Sequence, residues 1–213
     1  SIKYSCEMIF ISTDKAANPT SVLGYTKKTA EKVCKYFNSI NLSKKKIKIV
    51  RFGNVFGSSG SAVNNFIDKI NNEKPLQITS KKAYRYFMTV SEACHLVLQT
   101  TSIKSNKSIF ILNMGTPINI FMLAKKLAEI KSNQNPNYKF KYVVIGLQPG
   151  EKLKETLKGK RESIKKLNNE MFEVTEDHKT RSEFTQYYQQ LLEKYYNLNN
   201  NEVIKHLKKI SKY

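Results

Sequence analysis

What this sequence lacks narrows it first. No apolar run approaches the roughly 20 residues that a membrane-spanning helix needs, and no charged-then-apolar leader opens the chain. Cysteine is scarce: Cys6, Cys34 and Cys94 are an odd, scattered three without metal-ligand spacing, and the three histidines also lie far apart. No metal site is expected, and reduced thiols suit a cytoplasmic protein. Acid is in short supply too, with 17 Asp and Glu against 37 Lys and Arg, a formal net charge of +20. Such a balance can mark nucleic acid, an acidic membrane surface or a phosphorylated ligand. Here the basic residues spread along the whole chain, with one tight run at Lys44, Lys45, Lys46 and Lys48 and no aromatic-basic module. The charge therefore reads as lysine on solvated helix faces, and no nucleic-acid partner is expected. The chain starts at Ser1 within a few residues of a buried-looking strand, which suggests a partial chain.

What is present is enough to fold. In 213 residues, 40% are hydrophobic and 11% aromatic. Short continuous apolar runs at 8–12, 47–52 and 108–114 suit buried parallel strands, and 75–79 and 138–145 read as further strands. Between them, helical spacing recurs: Ala30, Val33, Cys34 and Phe37 in 24–37; Val63, Phe66, Ile67 and Ile70 in 61–72; Ala93, Cys94, Val97 and Leu98 in 90–100; and again in 118–131. Alternating strands and helices predict an α/β fold with a parallel sheet. Beyond 157 the composition turns to Lys, Glu and Asn, with weaker helical stretches at 186–196 and 203–210 and a polar linker at 197–201.

In such folds ligands sit at the carboxyl ends of the strands. Two polar clusters fall there: Ser12-Thr13-Asp14-Lys15 after the first strand, and Gly53 to Gly60 after the second. A carboxyl and an amine within mutual reach can act as acid and base. Alone, the tetrad reads more readily as a Thr-Asp cap beside a surface lysine, and the glycine-rich stretch equally well as a turn before a helix.

The longer pattern shifts that balance. Ser12-Thr13-Asp14-Lys15-Ala16-Ala17-Asn18-Pro19, Gly24-Tyr25-Thr26-Lys27, Arg51-Phe52-Gly53-Asn54-Val55, Gly57-Ser58-Ser59-Gly60-Ser61, Arg85-Tyr86-Phe87-Met88-Thr89 and Pro149-Gly150-Glu151-Lys152-Leu153 follow in order. Together they resemble the polysaccharide-biosynthesis (CapD-like) branch of the extended short-chain dehydrogenases, which includes UDP-N-acetylglucosamine 4,6-dehydratases. The resemblance covers about 8–157. It implies the C-terminal part of a Rossmann-type parallel sheet plus a smaller α/β substrate-binding lobe over 1–157, followed by a helical tail over 158–213. It also implies a UDP-sugar substrate, NAD or NADP as cofactor, and loss of water across C5 and C6 after oxidation at C4. By position, Asp14 would protonate the departing C6 hydroxyl, Lys15 would take the C5 proton and Thr13 would bond the C4 oxygen. Ser12 and Lys27 would contact the cofactor, and Lys27 would also lower the barrier to C4 deprotonation. Asn54, Ser58, Ser59, Arg85 and Glu151 would hold the sugar nucleotide.

Three departures from the family pattern stand out. Leu23 occupies the place of the tyrosine four residues before the catalytic lysine, as in a subset of mostly larger, membrane-anchored members; the C4 base is left to Lys15 or Lys27, with Tyr25 a lesser candidate. Gln148 stands where an arginine is usual. No Gly-x-Gly-x-x-Gly segment occurs, so the main NAD-binding segment is missing from this sequence, which leaves open a fragment of a longer protein, an N-terminal half on a separate polypeptide or a decayed gene product; a homo-oligomer is open as well. The rival readings are an epimerase or reductase of the same superfamily, which needs no acid at C6, and a non-catalytic sugar-nucleotide binder.

Overall fold

The computed structural model describes residues 6–40, 47–58, 60–105, 107–176, 184, 188–189 and 198–211. In chain order the elements are β1 (Met8–Thr13), α1 (Val22–Ile40), β2 (Ile47–Phe52), β3 (Asn54–Val55), α2 (Ala62–Asn71), β4 (Leu76–Ile78), β5 (Tyr84–Arg85), β6 (Phe87–Met88), α3 (Val90–Thr101), β7 (Ile109–Leu112), β8 (Ile118–Asn119), α4 (Ile120–Gln134), β9 (Tyr142–Val144), β10 (Glu162–Lys166), β11 (Met171–Glu176) and α5 (Asn200–Ile210). The chain divides into two compact units, one from 1–52, 96–113 and 156–213, the other from 53–95 and 114–155.

The first unit is a five-stranded sheet in the order β1-β2-β7-β11-β10. β1, β2 and β7 run parallel, with Ser12 beside Arg51 and Thr13 beside Phe52. All four residues of β7 are buried, as a strand covered on both faces requires. The core gathers Cys34, Ile47, Ile49, Ile109, Ile111 and Val174, with Phe10, Phe37, Leu157 and Phe172 against it.

The sheet is mixed, not purely parallel. β11 pairs antiparallel with β7, and β10 with β11. The 158–213 stretch, expected to be a helical tail, therefore opens with two strands. Their apolar content is too thin to show periodicity: β10 is Glu-Ser-Ile-Lys-Lys, and the buried positions of β11 include Glu173. The helix expected at 203–210 is present as α5, started by a reciprocal Asn199–Glu202 capping box. Its Ile210 is buried with Phe184, beside Val33, Tyr36 and Tyr188. The stretch expected as a helix at 186–196 lies, apart from 188–189, outside the described residues, as do Lys44, Lys45 and Lys46.

The second unit packs α2 and α4 over β4, burying Phe66, Ile70, Leu76, Ile78, Ala124, Ala128 and Tyr138. Strand pairs β3–β6 and β4–β9 are parallel, and β5–β8 is antiparallel.

Several helical faces are rotated from expectation. In α2 the buried stripe is Val63, Phe66 and Ile70, while Ile67 is 40% exposed. In α3, Ala93, Leu96 and Thr100 are buried, whereas Cys94 is exposed and Leu98 is 68% exposed. The buried residues of α1 are Gly24, Lys28, Glu31, Lys32 and Cys34, so charge occupies positions where apolar residues were expected.

Candidate active site

The tetrad closes β1. Thr13 caps a short 3₁₀ turn, Asp14–Ala16, its hydroxyl oxygen accepting from the Lys15 N–H at 3.4 Å. Asp14 is fully buried, and its Oδ1 receives the Thr13 hydroxyl at 2.9 Å and Lys15 Nζ at 3.0 Å. Its Oδ2 is buried without a hydrogen-bond partner. A buried, unsatisfied carboxylate oxygen is costly unless a ligand fills the need. The turn is braced from two sides. A Cβ at Gly24 would stand 2.7 Å from the Lys15 carbonyl oxygen and one at Gly159 2.5 Å from that of Ala17, so only glycine lets α1 and the 159–162 turn approach so closely.

Lys27, one turn into α1, donates Nζ to the Ile11 carbonyl at 3.0 Å and lies 5.1 Å from the centre of the Phe10 ring. Leu23 is 54% exposed. Tyr25 turns its ring toward Lys208 of α5, 5.9 Å away, and does not take Leu23's place on the helix.

Ser12 has a different environment. It is buried, and its hydroxyl donates to Glu31 Oε1 at 2.6 Å. Glu31 also receives Arg51 Nε at 2.7 Å and Nη2 at 2.6 Å. Arg51, fully buried, bonds both oxygens of Glu162 as well, at 2.6 and 2.9 Å. Glu162 accepts the Gly159 N–H and Lys28 Nζ, and Lys28 reaches Glu176 at 2.9 Å. Burial pushes Glu31 and Glu162 upward, but Arg51 and Lys28 outweigh it; Glu31 falls below its usual range and Glu162 to about 2. Burial works against the Arg51 cation as well, and the two carboxylates more than reverse it. The sequence reading missed this network. Its one available signal was spacing: Lys28 and Glu31 sit one helical turn apart beside apolar Val33 and Cys34.

The second unit holds a cavity of about 570 Å³. Asn54, Ser58, Arg85 and Glu151 all line it; Ser59 lies outside the described residues. The cavity also takes in the start of α2, where Ser61 accepts from the Asn64 N–H, together with Lys69 and Thr79. A helix start with nearby cations suits an anion. Arg85 Nη2 meets Glu151 Oε1 at 2.7 Å, and Asn54 Nδ2 donates to the Tyr86 carbonyl. Gln148 folds back on its own turn, its side chain donating to the Gly146 carbonyl and its N–H to Glu151 Oε2.

Known proteins bear on these two sets of residues. The family model described as "Polysaccharide biosynthesis protein" matches residues 2–177. The chain belongs to that family. Capsular polysaccharide biosynthesis protein CapD of Staphylococcus aureus is 41% identical over 156 residues, 73% of this chain and 26% of that protein. The inverting UDP-N-acetylglucosamine 4,6-dehydratase of Campylobacter jejuni is 34% identical over 151 residues, 70% of this chain and 42% of its own. UDP-glucose 4-epimerases match as well. The solved structure of Pen from Bacillus thuringiensis superposes with a TM-score of 0.72 at 29% identity, covering 82% of this chain and 54% of that one. The chain thus spans about a quarter of CapD and under half of the dehydratase. The fold is α/β, of the Rossmann type. Among the described residues, no helix is long and apolar enough to cross a membrane.

Proposed function

We propose that this chain carries the acid-base residues and the ligand-holding residues of a nucleotide-sugar 4,6-dehydratase acting on a UDP-N-acetylhexosamine in polysaccharide synthesis. The observation that carries this reading is the Asp14–Lys15 pair, buried on the carboxylate side and joined at 3.0 Å. An acid at C6 requires Asp14 protonated, and a base at C5 requires Lys15 neutral. Moving one proton from Lys15 to the Asp14 carboxylate, with the acid proton carried on Oδ2, puts both groups into the required forms. Oδ2, without a protein partner, is the oxygen free to face the departing hydroxyl. Thr13 holds Oδ1 in place and has a hydroxyl oxygen that can accept a hydrogen bond from the C4 hydroxyl, whose proton would pass to Lys15 or Lys27 as hydride leaves C4. An epimerase has no use for an acid at C6, which favours dehydration.

The fit to a nicotinamide cofactor is partial. Lys27 Nζ spends one N–H on Ile11, leaving two for ribose hydroxyls, while the glycine-rich cradle for a pyrophosphate is not in this sequence. Such a cofactor, when bound, supplies hydride acceptance at C4 and hydride return at C6. Lys27, as a nearby cation, would stabilise negative charge developing on the C4 oxygen. In the second unit, Arg85, Lys69 and the α2 start would hold the diphosphate, with Asn54 and Ser58 on the sugar side.

The test is incubation of the chain with UDP-N-acetylglucosamine and NAD, read by mass spectrometry for a product lighter by one water. Calorimetry with UDP and NAD accompanies it. Product that disappears in Lys15→Ala supports the reading. A chain that binds both ligands and forms no product would remove dehydration and leave a sugar-nucleotide binder.

A further inference from the structure

The cavity of the second unit contains an arrangement that the proposed function does not use. Of the side chains lining it, Lys69, Arg85 and Glu151 are the ones that carry charge. Lys69 Nζ is engaged with Gln77 Oε1 at 3.0 Å. Arg85, the better phosphate ligand by its planar fork, is met by Glu151 at 2.7 Å, with little of either side chain exposed. The Glu151 carboxylate is well held: Oε1 takes Thr79 Oγ1 at 3.0 Å besides Arg85, and Oε2 takes the Gln148 N–H at 3.1 Å. The Pro149–Gly150 turn that presents it is closed by the Glu151 N–H to the Gln148 carbonyl, and Gly150 has a φ of 81°. Arg85 is fixed on its other side by the carbonyls of Tyr84 and Leu153.

A cation already neutralised by a well-held carboxylate is a poor anion receptor. A diphosphate approaching Arg85 must either draw the guanidinium away from Glu151 or lie a few ångström from a like charge. We propose that Glu151 is an internal counter-ion that competes with the diphosphate of a nucleotide ligand for Arg85, and so sets the affinity of the cavity. This rests on the reading of the cavity as a sugar-nucleotide site. It gives Glu151 a role opposite in sign to that of a simple ligand contact. Removing its charge tightens the binding of a diphosphate, and leaves a neutral nucleoside, which has no claim on Arg85, unaffected.

The experiment is calorimetric titration of the full chain with UDP and, separately, with uridine, in wild type, Glu151→Gln and Glu151→Ala. Glutamine keeps the length and one acceptor for Arg85 and Thr79; alanine removes the group altogether and guards against an artefact of the new amide. The expected result is that both variants bind UDP about tenfold more tightly, with uridine unchanged. UDP binding seen in the variants and not in wild type supports the proposal equally. Unchanged UDP affinity in both variants overturns it. Weaker binding of UDP and uridine together also overturns it, and would make Glu151 a contact to the nucleoside. Absence of UDP binding from wild type and both variants removes the sugar-nucleotide reading along with the proposal.

Discussion

Arg51 and Glu31 meet through two hydrogen bonds, Nε to Oε1 at 2.7 Å and Nη2 to Oε2 at 2.6 Å, with neither side chain exposed. The pair joins β2 to α1, and Ser12 ties its carboxylate to the strand that ends in Thr13 and Asp14. Arg51 carries the bond onward to Glu162 at the start of β10. One guanidinium thus connects a helix, a parallel strand and the antiparallel extension of the sheet. Removing it leaves two buried carboxylates facing each other, so Arg51→Met should cost about 3–5 kcal/mol of unfolding free energy. Arg51→Lys should recover only part of this, because an ammonium cannot make both bidentate pairs. Urea unfolding followed by circular dichroism checks both, and an Arg51→Met protein as stable as wild type would show the network to be energetically neutral.

The same network fixes a direction for pH. Glu162 falls from an ordinary 4.5 to about 2, and Glu31 is lowered as well. A carboxylate whose folded value is depressed contributes stability that is complete above its unfolded value. That contribution fades as pH falls toward the folded one. The melting temperature of the chain should therefore be carried down between about pH 4.5 and 2 by Glu162, with Glu31 acting in the same direction. In Glu162→Gln the loss over that window should be shallower, although the variant starts less stable at neutral pH. Thermal melts taken through the acid range give the slopes directly, and equal slopes for the two proteins would sink the assignment.

Gly24 offers a test of the tetrad's geometry. It lies within α1 and is not among the positive-φ residues, so alanine there carries no left-handed penalty and has the better intrinsic propensity. The added methyl, though, would stand 2.7 Å from the Lys15 carbonyl oxygen and 3.1 Å from Pro19 Cβ. Backbone cannot yield cheaply at that distance. Gly24→Ala should therefore destabilise by about 1–3 kcal/mol, as overpacking does. It should also move the Lys15 amide resonance in a heteronuclear NMR spectrum. A stabilised protein with an unmoved Lys15 signal would mean that α1 does not approach the turn this closely.

How far the fold was legible depended on where burial is apolar. β1, β2 and β7 are apolar runs, and the helices between them were placed within a few residues. Asn54, Ser58, Arg85 and Glu151 were chosen from scattered motifs, and all four line one cavity. β10 and β11 escaped notice because Glu162, Glu173 and Glu176 belong to a sheet whose burial is partly ionic, and a hydrophobic period cannot register charge. For the same reason α1 looked like an amphipathic helix with lysines on its wet side, whereas Lys28 and Lys32 are buried. Pairing at separations such as the 111 residues between Arg51 and Glu162 leaves no local trace. The rotated face of α3 is a simpler miss: Leu98 belongs by composition to a core and by position to the surface.

The last prediction concerns which side chain replaces the tyrosine absent at position 23. Tyr25 is the nearest phenol in the sequence, but two residues along a helix turn it well away from Leu23's direction. Its ring faces Lys208 of α5, while Lys27 reaches back to β1 at Ile11. Tyr25→Phe keeps the ring for that contact and removes only the hydroxyl. In any assay where the proposed dehydration is observed, it should leave kcat within about twofold. Lys15→Ala should reduce kcat at least a hundredfold, the usual lower range for a general base, with the UDP dissociation constant unchanged. Both residues lie in the first unit, whereas Arg85 and Lys69, the proposed diphosphate contacts, lie in the second. A collapse of turnover in Tyr25→Phe alone would place the C4 base on Tyr25 and require α1 or α5 to move before chemistry.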